Sequence, residues 1–216
     1  MKLSGVIFDL DGTLFDSMFI WDSIASDYLI SRNIEPESDL DERFKKMTLV
    51  QAAQYYQEVY GITDTIHRII DDINHRLERI YAEEVKLKPY VAEMLAKMAE
   101  SNIKICAATV TDRYLVESTL KKHNIVQYFH GILTAAEVGS GKDSPLIYQK
   151  SLELLETKQV ETLVFEDVLH AVKTAKNAGF TVIGVYDKSA SDEQTQMVEI
   201  CDDYIISFKD WSDKWL

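Results

Sequence analysis

A chain of 216 residues, 46% of them apolar, is long enough for one large domain or a domain carrying a smaller insertion, and its composition excludes a disordered polymer. Acidic residues outnumber basic ones by 36 to 23, a formal net charge of −13, which argues against nucleic acid or membrane partners and means that a small anionic ligand needs a local positive site. No stretch approaches a membrane-spanning apolar run, the opening Met1-Lys2-Leu3-Ser4-Gly5 lacks the apolar segment of a signal peptide, and Cys106 and Cys201 are too few for a disulfide framework, so a soluble cytoplasmic protein is expected.

The first predicted element is Val6-Ile7-Phe8, a strand buried on both faces, followed by Asp9-Leu10-Asp11-Gly12-Thr13-Leu14. Asp9 and Asp11 lie two residues apart where the strand ends. Like charges so close call for a cation or a proton between them, which predicts a hard divalent metal, unequal pKa values, or both. A loop with two solvated aspartates is the plainer alternative at this point.

From Asp16 to about Glu84 the pattern turns helical, with Leu49, Ala52, Ala53, Tyr56 and Val59, then Ile66, Ile69, Ile70, Ile73, Leu77, Ile80 and Tyr81, at three- and four-residue spacing. This block reads as an inserted helical bundle, interrupted at Asn33-Ile34-Glu35-Pro36 and at Gly61-Ile62-Thr63-Asp64, with Thr63 or Asp64 as a helix N-cap. His67 and His75 lack ligand spacing. After Lys88-Pro89 helices and strands alternate: helices over 90–100, 112–123, 144–155, 169–178 and 192–199, and strands at 103–108, 131–133, 162–165, 181–185 and 204–206. The fold class implied is α/β, a Rossmann-like open parallel sheet, with core segments 1–15 and 86–216 flanking a helical domain of 16–85.

Ligands of such sheets bind beyond the carboxyl ends of the strands. On that rim the sequence puts Asp9 and Asp11, then Thr109-Val110-Thr111, Lys142 after a glycine-containing turn, and Glu166-Asp167. Carboxylates from two strands can hold Mg²⁺, while hydroxyls, backbone N–H groups and an ammonium hold phosphate oxygens, a set suited to phosphoryl transfer. Each part alone has a bland alternative: a helix cap for Thr109 or Glu166-Asp167, a surface lysine for Lys142. Gly139-Ser140-Gly141-Lys142 is not a nucleotide P-loop, because Ala136 and Asp143 stand where that signature needs glycine and a hydroxyl residue.

With these residues in view the chain resembles the haloacid dehalogenase-like phosphohydrolases, in particular the phosphoglycolate phosphatase and β-phosphoglucomutase-like members with a helical cap inserted between the first two motifs. Phe8-Asp9-Leu10-Asp11-Gly12-Thr13-Leu14 is similar to the first motif, Thr109 to the second, Lys142 to the third and Phe165-Glu166-Asp167 to the fourth. The resemblance implies Asp9 as nucleophile forming an aspartyl-phosphate, and Asp11 as general acid and base. It also implies Mg²⁺ held by Asp9, the Asp11 backbone carbonyl and Asp167 with support from Glu166, and phosphate held by Thr109, Val110 and Lys142. The chain departs from the family pattern at Asp143, Val168 and His170. The presence of Asp11 favours phosphate chemistry over carbon–halogen cleavage.

The activity implied is Mg-dependent hydrolysis of a small phosphate monoester, such as a sugar phosphate, by a monomer or homodimer. The alternatives are a β-phosphoglucomutase-like phosphomutase and a silent phosphate-binding or regulatory protein on the same fold. Met18, Trp21, Arg43, Lys46 and Arg113 are candidate substrate contacts. Against these stand helix packing for Trp21, a solvated turn for Arg43 and Lys46, and a surface charge for Arg113.

Overall fold

The structure, a computed structural model, describes residues 3–44, 47 and 49–211. The chain divides into two compact units, one made of the residues up to Ser17 with those from Val85 onward, the other of Met18–Glu84. The first unit opens with β1 (Gly5–Phe8), whose four residues are all buried, and with β2 (Phe15–Asp16).

The second unit is helical: a 3-10 turn at Met18–Asp22, then α1 (Ile24–Ile30), α2 (Leu40–Phe44), α3 (Leu49–Tyr60) and α4 (Ile66–Glu83). On α4, Ile69, Ile73, Leu77, Ile80 and Tyr81 are buried, the stripe that three- and four-residue spacing produces on one helix face. Tyr28 stacks on Tyr56 with ring centroids 4.8 Å apart, and the Tyr56 hydroxyl donates to the Ala25 carbonyl at 3.0 Å, so the large aromatic is buried with its polar tip satisfied. The expected N-cap is displaced. Thr65, not Thr63 or Asp64, caps α4, its side chain accepting from the Arg68 N–H at 3.2 Å.

The chain then returns through β3 (Lys86–Leu87), which pairs antiparallel with β2, Asp16 opposite Lys86 and Phe15 opposite Leu87. There follow α5 (Val91–Glu100), β4 (Lys104–Thr109), α6 (Arg113–Lys122), β5 (Gly131–Thr134), α7 (Ala135–Val138) and α8 (Leu146–Leu155). The chain finishes with β6 (Thr162–Glu166), α9 (Leu169–Asn177), β7 (Thr181–Val185), α10 (Gln194–Ile200) and β8 (Asp203–Ile205). The expected polar helix at 192–199 is α10, led into by a 3-10 segment at Lys188–Glu193.

Six strands form one sheet in the order β5-β4-β1-β6-β7-β8, and every pairing is parallel. The fold is therefore α/β with a parallel sheet. On one face Ile7, Cys106, Val164 and Val182 pack against Ile147, Tyr148, Leu155, Val172 and Met197 from the helices. Chain connections leave β1 toward β4 and leave β6 toward β7, so strand order reverses between β1 and β6. A parallel sheet opens a crevice at such a reversal, beyond the carboxyl ends. Phe8 is level with both Ala107 and Phe165, which brings Asp9, Thr109 and Glu166-Asp167 to the same rim.

Candidate active site

Asp9 is the first residue past β1 and is anchored by its N–H, which donates to the Phe165 carbonyl at 3.0 Å. Gly12 then adopts φ 83°, a conformation open to glycine at little steric cost, and the chain turns so that the Leu14 and Phe15 N–H groups both donate to the Leu10 carbonyl at 2.8 and 2.7 Å. The turn delivers two hydroxyls. Thr13 Oγ1 donates to Asp167 Oδ1 at 3.0 Å, and Ser17 Oγ donates to Asp11 Oδ1 at 2.6 Å. From the end of β4, Thr111 Oγ1 donates to the other Asp11 oxygen at 2.7 Å while its N–H donates to Thr109 Oγ1 at 3.1 Å. Asp11 and Thr109 are thus linked through Thr111.

Lys142 arrives by a different local device. Thr134 and Glu137 form a capping box that starts α7, and Gly139, at φ 75°, ends it in the left-handed conformation and redirects the chain. The Lys142 ammonium, buried, is ion-paired with Asp9 Oδ1 and lies 2.7 Å from Glu166 Oε1. That same Glu166 oxygen accepts from the Tyr148 hydroxyl of α8 at 2.7 Å.

Asp9, Glu166 and Asp167 present carboxylate oxygens that all lie within 4.8 Å of one another, and all three residues are buried. Three carboxylates facing one ammonium leave two negative charges uncompensated when all are ionised, which is costly out of water. Burial raises the Glu166 carboxyl above the usual glutamate range, with Asp9 adding to the effect and Lys142 opposing it. Burial likewise raises Asp167 well above its ordinary value, helped by Asp9 and Glu166. For Lys142, burial works to lower the ammonium, but Asp9 and Glu166 outweigh it and hold it above the usual lysine range.

Two oxygens in this cluster, Glu166 Oε2 and Asp167 Oδ2, are buried without a hydrogen-bond partner. Orphaned carboxylate oxygens beside a third carboxylate are the donor set of a hard divalent cation. The residues present therefore fit Mg²⁺. The Asp11 carboxylate is not one of the three; it is half-buried and engaged by Ser17 and Thr111.

Thr109 is buried at the rim, and Val110 beside it is exposed. Arg113 is tied to the turn after β5, donating to Glu137 Oε2 and the Ile132 carbonyl, both at 2.7 Å, and the pairing pulls the Glu137 carboxyl down to about 2. Its guanidinium braces the core and remains partly exposed. Arg43 is held within the helical unit by Asp39 at 2.6 Å and by Glu37 and Tyr55, which makes a solvated turn an incomplete description of it. Met18 and Trp21 are half-buried in the turn that opens that unit, and Lys46 lies outside the described residues. Sequence reading missed Tyr148 and Ser17 as parts of the site. Tyr148 sits in the apolar stripe of α8, where nothing distinguishes it from a core aromatic.

The family profile described as haloacid dehalogenase-like hydrolase matches residues 6–185. A phosphorylated-carbohydrate phosphatase of Thermotoga maritima is 27% identical over 177 residues, covering 82% of this chain and 82% of its own. The β-phosphoglucomutase of Bacillus subtilis is 24% identical over 195 residues, covering 85% of this chain and 83% of its own. Among solved structures, a candidate β-phosphoglucomutase from Thermotoga maritima superposes with a TM-score of 0.82 at 25% identity, covering 94% of each chain.

Proposed function

The chain belongs to the haloacid dehalogenase-like hydrolases, and from that premise we propose that it hydrolyses a small phosphate monoester, a phosphorylated sugar in the first instance, through an aspartyl-phosphate on Asp9. The observation that carries the reading is the buried group of Asp9, Glu166 and Asp167 around Lys142, with two carboxylate oxygens left unpartnered. Asp9, Asp167 and the Asp11 backbone carbonyl would hold Mg²⁺, with Glu166 behind them. Bound there, the ion supplies positive charge facing the phosphoryl oxygens.

An Asp9 carboxylate oxygen attacks phosphorus as the bond to the leaving oxygen breaks, and Asp11 gives that oxygen its proton. Asp11 then takes a proton from water, whose oxygen attacks the same phosphorus, breaks the bond to Asp9 and releases inorganic phosphate. Ser17 and Thr111, one on each Asp11 oxygen, fix the carboxyl group, and a hydroxyl can serve both its ionised and its protonated form because it donates or accepts. Lys142 and the hydroxyl and backbone of Thr109-Val110 hold the transferring group, with Lys142 also offsetting the charge of Asp9. Met18–Glu84 acts as the cap, the position at which water is excluded and substrates are sorted.

Similarity to the β-phosphoglucomutase of Bacillus subtilis supports a second reading, transfer of the phosphoryl group back to a sugar rather than to water. Screening sugar phosphates and other small monoesters with Mg²⁺ tests both. Hydrolysis without added sugar bisphosphate supports a phosphatase; isomerisation that requires glucose 1,6-bisphosphate supports a mutase. In either case Asp9→Asn should lower turnover by at least about 10⁴-fold, as loss of a nucleophile does. Turnover surviving the substitution refutes the nucleophile assignment.

A further inference from the structure

The helical unit is acidic, with 14 Asp and Glu against 7 Lys and Arg between Met18 and Glu84, yet its basic residues are not evenly spread. Three of the seven, Arg32, Arg76 and Arg79, line a single cavity of about 290 Å³, to which the acidic residues contribute only Asp72. The clustering follows from helix geometry. Asp72, His75, Arg76 and Arg79 fall at positions i, i+3, i+4 and i+7 of α4 and so share one face, and the opposite wall is Tyr28, Ser31 and Arg32 at the end of α1.

The charges of this cavity are unequally compensated. Arg32 is paired with Asp72 at 2.8 Å and Asp64 at 3.0 Å, and Asp72 also accepts from Arg68 at 3.2 Å, so the one lining carboxylate is already shared by two arginines. Among the described residues, Arg76 and Arg79 form no ion pair and no hydrogen bond. Two further groups are left over. The Tyr28 hydroxyl, in a residue 2% exposed, and Arg32 Nε are buried and make no well-aligned hydrogen bond, the Arg32 guanidinium lying instead over the Tyr28 ring, 4.4 Å from its centroid, and both belong to residues that line the cavity. Burial raises the Tyr28 phenol, so it stays a donor. The carbonyls at the end of α1, which would repel an anion, are occupied: Tyr28 accepts from the Ser31 hydroxyl at 2.7 Å, Leu29 from the Arg32 N–H at 2.9 Å and Ile30 from the Asn33 N–H at 2.9 Å.

Two unpaired guanidinium groups, with a phenol and an Nε that no acceptor engages, make a donor-rich, acceptor-poor pocket. We infer that the helical unit binds a small phosphate-type oxyanion in this cavity, a ligand site that contains none of the residues of the core cluster. The forked geometry of Arg suits a tetrahedral oxyanion held by paired N–H donors, and the volume admits inorganic phosphate or a small phosphorylated metabolite. The site goes beyond the proposed reaction and stands whether that reaction is hydrolysis or transfer.

The test is a titration of the metal-free full-length protein with inorganic phosphate, followed by the arginine Nε–Hε and tyrosine ring resonances. Saturable shifts are expected at Arg32, Arg76, Arg79 and Tyr28, with none at Arg43, which belongs to the same unit but is absent from the cavity lining. Arg76→Gln with Arg79→Gln should weaken the binding read at Tyr28 at least about ten-fold. If that double variant does not fold, Arg79→Gln alone, at an exposed position, is expected to weaken it measurably and carries the same test. Shifts that never saturate, that sodium chloride reproduces at equal ionic strength, or that persist with unchanged affinity in the variant would overturn the site.

Discussion

In the core unit Asp9, Lys142, Glu166 and Asp167 lie buried at the end of the sheet, each no more than 6% exposed. Among the described residues of the helical unit the buried residues are aliphatic or aromatic, and no charged residue is fully buried. The two units are stabilised on different terms. The helical unit gains from burying Ile69, Ile73, Tyr56 and their neighbours and gives up little to desolvation. The core places ionisable groups in a region of low polarity, which destabilises the fold and is tolerated because a central parallel strand, hydrogen-bonded on both sides, holds the site in place. Charge fixed in this way needs no reorganisation when a phosphoryl group arrives.

Substitutions in each unit can break or sharpen this contrast. The largest effect on stability is expected from Ile73→Ala, which empties a site 1% exposed in the helical unit and should cost about 2–5 kcal/mol in urea denaturation. A loss below 1 kcal/mol would mean that the helical unit does not depend on its apolar stripe. Tyr148→Phe in the core removes the hydroxyl on Glu166 and leaves the partly compensated carboxylate with Lys142 alone; a loss of about 1–3 kcal/mol is expected. Unchanged stability there would show that the site tolerates the missing donor, and the contrast between the units would weaken.

The smallest effect belongs to Arg113→Ala. Its pair with Glu137 is partly exposed, and the loss should stay at or below about 1 kcal/mol. Glu137 falls from its ordinary 4.5 to about 2 in the folded protein, so the pair's contribution is complete above pH 4.5 and fades as pH drops toward 2. The difference between wild type and variant should therefore shrink across that interval in thermal melts. A difference that grew on acidification would contradict the pairing.

Much of this could be read from the residues because the signals were strong and local. Val6-Ile7-Phe8 is apolar on both faces as only an interior strand is, and helix and strand alternating after Lys88 leaves a parallel sheet as the economical solution. Once the sheet is parallel, Asp9, Thr109 and Asp167 must share a rim. What escaped detection depended on distant partners or short elements. Arg113 meets Glu137 across 24 residues, and Tyr148 acquires its role only because Glu166 comes opposite it; no periodicity encodes either meeting. Strands of two residues, like β2 and β3, are too short to show alternation. The cap of α4 at Thr65 was one of three adjacent polar residues with similar propensity, and only the hydrogen bond to Arg68 separates them.

The pairing of β2 with β3 gives the two-unit chain a simple topology. Asp16 lies opposite Lys86, and the Lys88 N–H donates to the Leu14 carbonyl at 2.9 Å, so the chain leaves the core and re-enters it along one antiparallel ladder. The whole of Met18–Glu84 lies, in these terms, within the loop of a β-hairpin whose strands end at Asp16 and begin again at Lys86. Adjacent exit and return points make such a loop exchangeable: a two-residue turn closes the same ladder, and another helical insert of any length whose ends meet can occupy it. The ladder thus lets the loop's sequence diverge while the residues around Asp9 stay in register.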